Sequence, residues 1–461
     1  MTRFILIRSF FALLAIFFFR QTIAQLPTAE GYKGIWFTLG QFFRYGDKYS
    51  GGLGTYTSSH IPIAIYSPEV NKTFFVYGGT TKADEKHLLI MVSYFDHSKK
   101  QVPQPVIVYD KMGVDDPHDN ASISIDEKGF IWIFVSGRNT SRLGLLFKSR
   151  KPFEIGDFEK IREADMTYPQ PWWVKGKGFF YLFTKYTNGR ELYWSTSNDG
   201  ISWSEDHKLA GMGGHYQVSN KWHDKIVTAF NYHPGGNVDK RTNVYLLQTS
   251  DMGKTWTSVS GIEMMPPLTN KINEALVKDY EKEGKLVYLN DINFDEKGNP
   301  IVLAVISNNF QPGPPGNLRQ WVVIQRKENK WEINTVCRSS HNYDMGSLYI
   351  DGNSWQVIGP TEKGPQPNGT GGEMAVWESR DKGYTWRKKR ILTSNSTRNH
   401  SYARRPSVMH PDFQAIWADG NADTMSVSKL FFADSRGSVY ELPYDMKSPF
   451  QRPAMVTGRI K

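Results

Sequence analysis

The chain has 461 residues, a formal charge of +10 at neutral pH, 14% aromatic residues and a single cysteine, Cys337. That length suits one large β domain or two to three ordinary domains, and one cysteine excludes a disulfide-stapled scaffold. The positive excess favours an anionic substrate over nucleic acid, because the one basic run, RDKGYTWRKKR at 380–390, fits a turn motif instead.

In chain order, residues 1–24 come first. Arg3 and Arg8 precede an apolar run that Arg20 interrupts, and Thr22-Ile23-Ala24 ends it. This is the pattern of a cleaved signal peptide, with an apolar run too short for a span of roughly 20 residues. The mature chain, 25–461, is therefore expected to be a secreted or periplasmic monomer, off the membrane after cleavage. Without disulfides it must be held by its core, which suits a periplasm.

Strand-like runs follow throughout, among them FIWIFVSG at 130–137, GFFYLFTKY at 178–186, KIVTAFNY at 225–232 and IVLAVIS at 301–307. They are short, rich in β-branched and aromatic residues, and bounded by Gly, Asn, Asp and Pro. One segment breaks the pattern. In KINEALVKDYEKEGK at 271–285, Ile272, Leu276 and Tyr280 recur every fourth residue, which predicts an inserted helix.

Three segments repeat one another: STSNDGISW ending at Trp203, QTSDMGKTW at Trp256 and ESRDKGYTW at Trp386. Each has the form of an Asp-box turn, in which Asp and Ser/Thr side chains bond the turn backbone, Gly supplies a positive φ and Trp packs inward. The first two tryptophans lie 53 residues apart, close to one four-stranded blade. Division of the mature length by that period, with insertions, gives about seven blades. The expectation is all-β: a seven-bladed β-propeller with Asp-box turns, forming a single catalytic domain. Asp boxes themselves specify no chemistry.

Function in a propeller gathers at the mouth of the central channel, fed by strand ends of successive blades. Four residues fit that placement: His97 ends a strand, His118 opens a hairpin in DDPHDNAS, Tyr168 opens YPQPWWV and Lys185 ends FYLFTKY. Two imidazoles, a phenol and a cation make an acid–base set with a carboxylate clamp. His215, His233 and His341, in GGHYQVS, FNYHPGG and SSHNYDMG, are candidate metal ligands if they converge. Alternatively, His215 and Tyr216 line a sugar pocket.

The stretches GYKGIWFTLGQ at 31–41, YSGGLGTYTSSHIPIAIY at 49–66, DDPHDNASISIDEKGFIWIFVSGR, FNYHPGGNVDKRTNVYLLQTSDMGKTW and HNYDMGSLYID together resemble the BNR-4 propeller group. That group holds the ulvan lyases and the rhamnose–glucuronate family of glycoside hydrolase family 145 and polysaccharide lyase family 42. The resemblance implies action on rhamnose–glucuronate glycans, ulvan or arabinogalactan oligosaccharides, by β-elimination across C4–C5 of glucuronate. The protein would act as a lyase, or as a dehydratase on a terminal uronate. His97, His118 and Tyr168 match the lyases' catalytic positions, and Lys185 falls where they carry Arg. Lys keeps the charge there but loses the two-pronged grip, so Arg138 or Arg190 is expected to help. The hydrolase description of the same family makes His60 the catalytic residue on the opposite face, so an α-L-rhamnosidase is the alternative; a glycan-binding propeller is the non-enzymatic one. No cofactor is required for the chemistry, and a structural zinc or calcium ion is the metal that the resemblance implies.

Overall fold

The computed structural model describes residues 25–112 and 116–457. The expected signal peptide lies outside the described residues. Short β-branched and aromatic runs separated by Gly, Asn and Asp turns fold into consecutive antiparallel meanders. Seven such sheets of four to six strands succeed one another. Their first strands are Ala64–Ser67, Ala121–Ile125, Thr167–Val174, Gln217–Trp222, Leu286–Phe294, Ser347–Asp351 and Asn399–Arg404. They pack side by side around an axis, so the chain is an all-β propeller.

The ring is closed by hydrogen bonds between the first and seventh sheets: Ser407 N–H to the Ala64 carbonyl (2.9 Å) and Tyr66 N–H to the Val408 carbonyl (2.9 Å). The strand Gly34–Thr38 also pairs with Ser426–Ser428, which ties the start of the described chain to the last sheet.

All three Asp boxes form the expected turns. Asp199 Oδ1 accepts from the Ile201 and Ser202 amides (both 2.8 Å), Asp251 Oδ2 from Thr255 Oγ1 (2.7 Å), and Asp381 Oδ1 from the Thr385 amide (2.9 Å). Gly200 has φ +76°, and a Cβ there would lie 2.3 Å from the Trp132 ring of the preceding sheet. The turn therefore needs glycine both for its backbone and for packing between blades.

The helix expected over 271–285 does not form. Leu276–Lys278 is a short strand paired to Thr242–Thr249, and turns flank it. The Asn273 side chain and carbonyl capture the Ala275 and Leu276 amides (2.9 and 3.0 Å) before a helical turn closes. An available sheet edge and local Asn bonding outweigh the four-residue apolar spacing.

Candidate active site

The site opens at the end of the ring where the first strands begin. Six of the seven sheets, with the segment 41–59, contribute to a cavity of about 210 Å³. Its lining includes Lys48, Tyr49, Tyr56, His118, Arg138, Tyr168, Arg190, Tyr216, Arg241, Tyr288, Tyr343 and Tyr402. Four cations and seven phenols line it, and among the described residues no carboxylate does.

The stretch DDPHDNAS places His118. Asp116 caps a single turn, Pro117–Asp119, whose first position suits proline, and its side chain accepts the His118 amide (3.1 Å). The same carboxylate oxygen bonds His118 Nδ1 at 2.6 Å. That bond fixes the proton on Nδ1 and leaves Nε2 as acceptor, 3.0 Å from the Tyr56 hydroxyl. Burial pushes the His118 pKa below its usual value although Asp116 opposes the shift, so the imidazole is neutral near pH 7. Burial would raise the Asp116 pKa, but the His118 bond and the Arg138 charge hold this carboxyl well below the usual carboxylate range. Arg142 braces it from behind, bonding Asp116 at 3.0 Å and Asp119 at 2.6 and 2.9 Å.

Tyr168 reaches the cavity through an irregularity in its strand. It sits at φ +55°, the pairing register shifts between Thr167 and Gln170, and Ser136 Oγ accepts its amide (3.1 Å). Tyr402, in the seventh sheet, uses the same device, with φ +55° and a register shift between Ser401 and Arg404. A left-handed conformation at a bulky residue is costly, and here it turns a strand side chain into the channel.

The cations stack among the phenols. The Arg241 guanidinium carbon lies 4.8 Å from the Tyr216 ring centre and 4.3 Å from that of Tyr288, and its terminal nitrogen donates to the Tyr343 hydroxyl at 2.8 Å. Arg138 and Arg190 flank Tyr186 at 5.2 and 5.4 Å. Among the described residues an Arg138 terminal nitrogen, 3.7 Å from an Asp116 carboxylate oxygen, and Arg190 Nε have no hydrogen-bond partner, leaving donors for a ligand. Burial raises the Tyr168 pKa well above its usual value, so this phenol stays protonated. Burial would also raise Tyr216, but Arg190, Arg241 and Arg138 outweigh it and hold this phenol below the ordinary tyrosine value.

His118, Tyr168, Arg138, Arg190 and Tyr216 thus come together, and other expected residues do not. His97 follows the strand Leu89–Asp96, which runs away from the cavity, and it bonds Thr73 Oγ1 at 2.8 Å. Lys185 points away from the channel, its ammonium 2.7 Å from Asp206. Strand alternation gives the inward direction to Tyr186 instead. The arginines that do line the cavity are Arg138, Arg190 and Arg241.

His60 does not line the cavity and is fully buried. Its Nε2 lies 3.0 Å from the His118 carbonyl, its Nδ1 accepts the Thr57 amide (3.2 Å), and burial lowers its pKa to about 3. Both nitrogens are thus engaged, and the ring is buried behind His118. The Arg404 guanidinium gathers the carbonyls of Thr55, Thr57, Ser58 and His60, holding that loop in place.

His215, His233 and His341 do not fit a shared metal. His215 Nε2 accepts the Met212 amide (3.1 Å) and its Nδ1 donates to the Asn231 carbonyl (2.7 Å). His341 Nδ1 accepts the Tyr343 amide (3.2 Å). The three do not form a cluster of mutually close ligand atoms. Sequence reasoning missed Lys48, Tyr56, Arg241, Tyr288, Tyr343 and Tyr402; for the first two, the stretch from Lys48 to His60 held the signal, since it packs two tyrosines, a lysine and small residues before a histidine.

Fold and site define a β-propeller with a cationic, tyrosine-lined pocket at its axis. The chain belongs to the BNR repeat-containing family, whose model matches residues 82–339. Its fold is similar to that of a polysaccharide lyase of family PL25, an ulvan lyase, at 14% identity over 88% of this chain and 96% of that chain, with a TM-score of 0.71. The same figures hold for the PL25 ulvan lyase structure bound to -[GlcA(1-4)Rha3S]-. A more distant likeness is to the BP39L lectin from Burkholderia pseudomallei, at 10% identity over 84% of this chain and 96% of that chain, with a TM-score of 0.46. No curated protein matches the sequence.

Proposed function

We propose that this protein is an exported carbohydrate-active enzyme that eliminates across C4–C5 of a glucuronate joined to rhamnose. The observation that carries the reading is the pocket itself: four cations and, among the described residues, no lining carboxylate, beside a neutral histidine oriented by an aspartate and a buried, protonated tyrosine. The uronate carboxylate takes the free donors of Arg138 and Arg190, which stabilises charge developing on that group as the C5 proton leaves. Tyr56 accepts the C5 proton as its own phenolic proton passes to His118 Nε2, and Asp116 stabilises the resulting imidazolium. The C4–O bond breaks as C4=C5 forms, and Tyr168 donates a proton to the departing oxygen. If that oxygen belongs to a sugar the enzyme is a lyase; if it is a free hydroxyl, water leaves and the enzyme is a dehydratase. The ligand in the PL25 ulvan lyase structure, glucuronate joined to sulfated rhamnose, has the charge and linkage that this pocket suits.

A second base is favoured by one observation, the lowered pKa of Tyr216. Two variants separate them: His118→Gln abolishes turnover and Tyr216→Phe spares it if His118 holds the proton, with the reverse if Tyr216 does.

The test is the ultraviolet absorbance of an unsaturated uronate, with mass spectrometry, on ulvan and rhamnose-capped arabinogalactan oligosaccharides. A rising signal supports elimination. Free rhamnose without absorbance means hydrolysis, and affinity without any product means a binding propeller.

A further inference from the structure

We infer that His97, His410 and Asp412 form a zinc-binding clip that fastens the seventh sheet to the first, away from the axial cavity. The three are a cluster of potential metal ligands whose donor atoms all lie within 4.8 Å of one another. His97 follows the strand Leu89–Asp96 of the first sheet, and His410 and Asp412 lie in the hairpin between Asn399–Arg404 and Ala415–Gly420 of the seventh. They therefore span the closure of the ring, where no disulfide holds the ends and backbone bonds, packing and the Lys100–Asp412 ion pair join the two sheets.

The geometry fits a tetrahedral ion. One Asp412 carboxylate oxygen is 3.8 Å from His97 Nδ1 and 3.6 Å from His410 Nδ1. Ligands at about 2.0–2.2 Å from zinc stand roughly 3.3–3.5 Å apart, so shifts of a few tenths of an ångström complete the set. His97 supplies a second and independent indication. It is 4% exposed, yet among the described residues its Nδ1 has no hydrogen-bond partner, and it faces this cluster. Its other nitrogen, Nε2, is 2.8 Å from Thr73 Oγ1, the outer bond that orients a ligating imidazole and fixes its tautomer. Tyr66 packs edge-on against His97 and beside His410, at 5.3 and 4.9 Å between ring centres, walling one side.

Three contacts compete with the ion, one of them the exposed Arg436 guanidinium, 4.0 Å from the second Asp412 carboxylate oxygen. The Lys100 ammonium pairs with the Asp412 carboxylate, and the Asp412 amide donates to His410 Nδ1 at 3.1 Å. Lys100 is about half exposed and free to swing into solvent as zinc takes its place. Three protein ligands with His410 and Asp412 only partly buried leave a fourth position for water.

The experiment uses the full mature chain, stripped with a chelator and dialysed, then titrated with zinc by calorimetry and melted with and without it. Cobalt substitution reports tetrahedral coordination through its visible bands. We expect one zinc per chain and a raised melting temperature. His410→Gln and Asp412→Asn, both at partly exposed positions, should melt near the apo wild type. Each should lose the zinc increment, with affinity reduced beyond the roughly 10–100-fold typical of outer-shell changes. Lys100→Ala should bind zinc more tightly than wild type, an effect that general destabilisation does not produce. No stoichiometric zinc, or zinc that both ligand variants retain at wild-type affinity, would overturn the proposal.

Discussion

Replacement of Asp116 by Asn tests the Asp116–His118–Tyr56 relay with little change of shape. The substitution keeps the side-chain volume but removes the charge that His118 Nδ1 meets at 2.6 Å. A hydrogen bond to a charged group contributes about 1.5–3 kcal/mol. If the imidazolium forms in the rate-limiting step, that loss slows turnover by about 10–150-fold, since each 1.36 kcal/mol is tenfold. The same variant removes one partner of Arg142, which retains Asp119 at 2.6 and 2.9 Å, so the fold should hold. The assay is the initial rate of unsaturated-uronate formation at saturating substrate, with the melting temperature measured in parallel. A variant that melts like wild type and turns over within about twofold of it would remove His118 from the proton's path.

Further tests address the clamp, the acid response and a turn. Lys185→Ala should leave kcat/KM nearly unchanged because its ammonium is spent on Asp206 at 2.7 Å, whereas Arg190→Ala should lower it by about 10–150-fold, read in the same assay. The buried histidines His60, His215 and His341 have folded pKa values near 3, 4 and 3, lowered first by burial. Because these lie below the unfolded value of about 6.5, the unfolded chain binds more protons in mild acid. Their contribution is complete above that pH, and each loses up to about 1.4 kcal/mol per pH unit below it. Urea midpoints should therefore fall steeply between about pH 6.5 and 4, and a flat profile would contradict neutral burial. Gly253→Ala places a Cβ 2.6 Å from the Trp194 ring at φ +82°, so a lowered urea midpoint is expected without a change in KM.

The Asp boxes show what sequence alone determines here. Their Asp, Gly and Ser/Thr residues bond within a few positions of one another, so spacing suffices to read the turn, and the blade period follows from its repetition. His118 was legible for the same reason, because Asp116 and Pro117 set its turn locally. Arg138 and Arg190 were legible as charges near the strand ends. Tertiary structure alone decided which way the others face. Lys185 and Tyr186 are adjacent in one strand, and the two-residue pleat sends Lys185 to Asp206 and Tyr186 between the pocket's Arg138 and Arg190. Strand direction carries His97 to the far end of its sheet. Tyr402 and Arg241 reach the pocket from the seventh and fourth sheets, across separations that no local pattern encodes. Local bonding fixes turns and period, whereas a site at a propeller axis is assembled from strand direction, pleat and ring closure, and those exist only once the chain has folded.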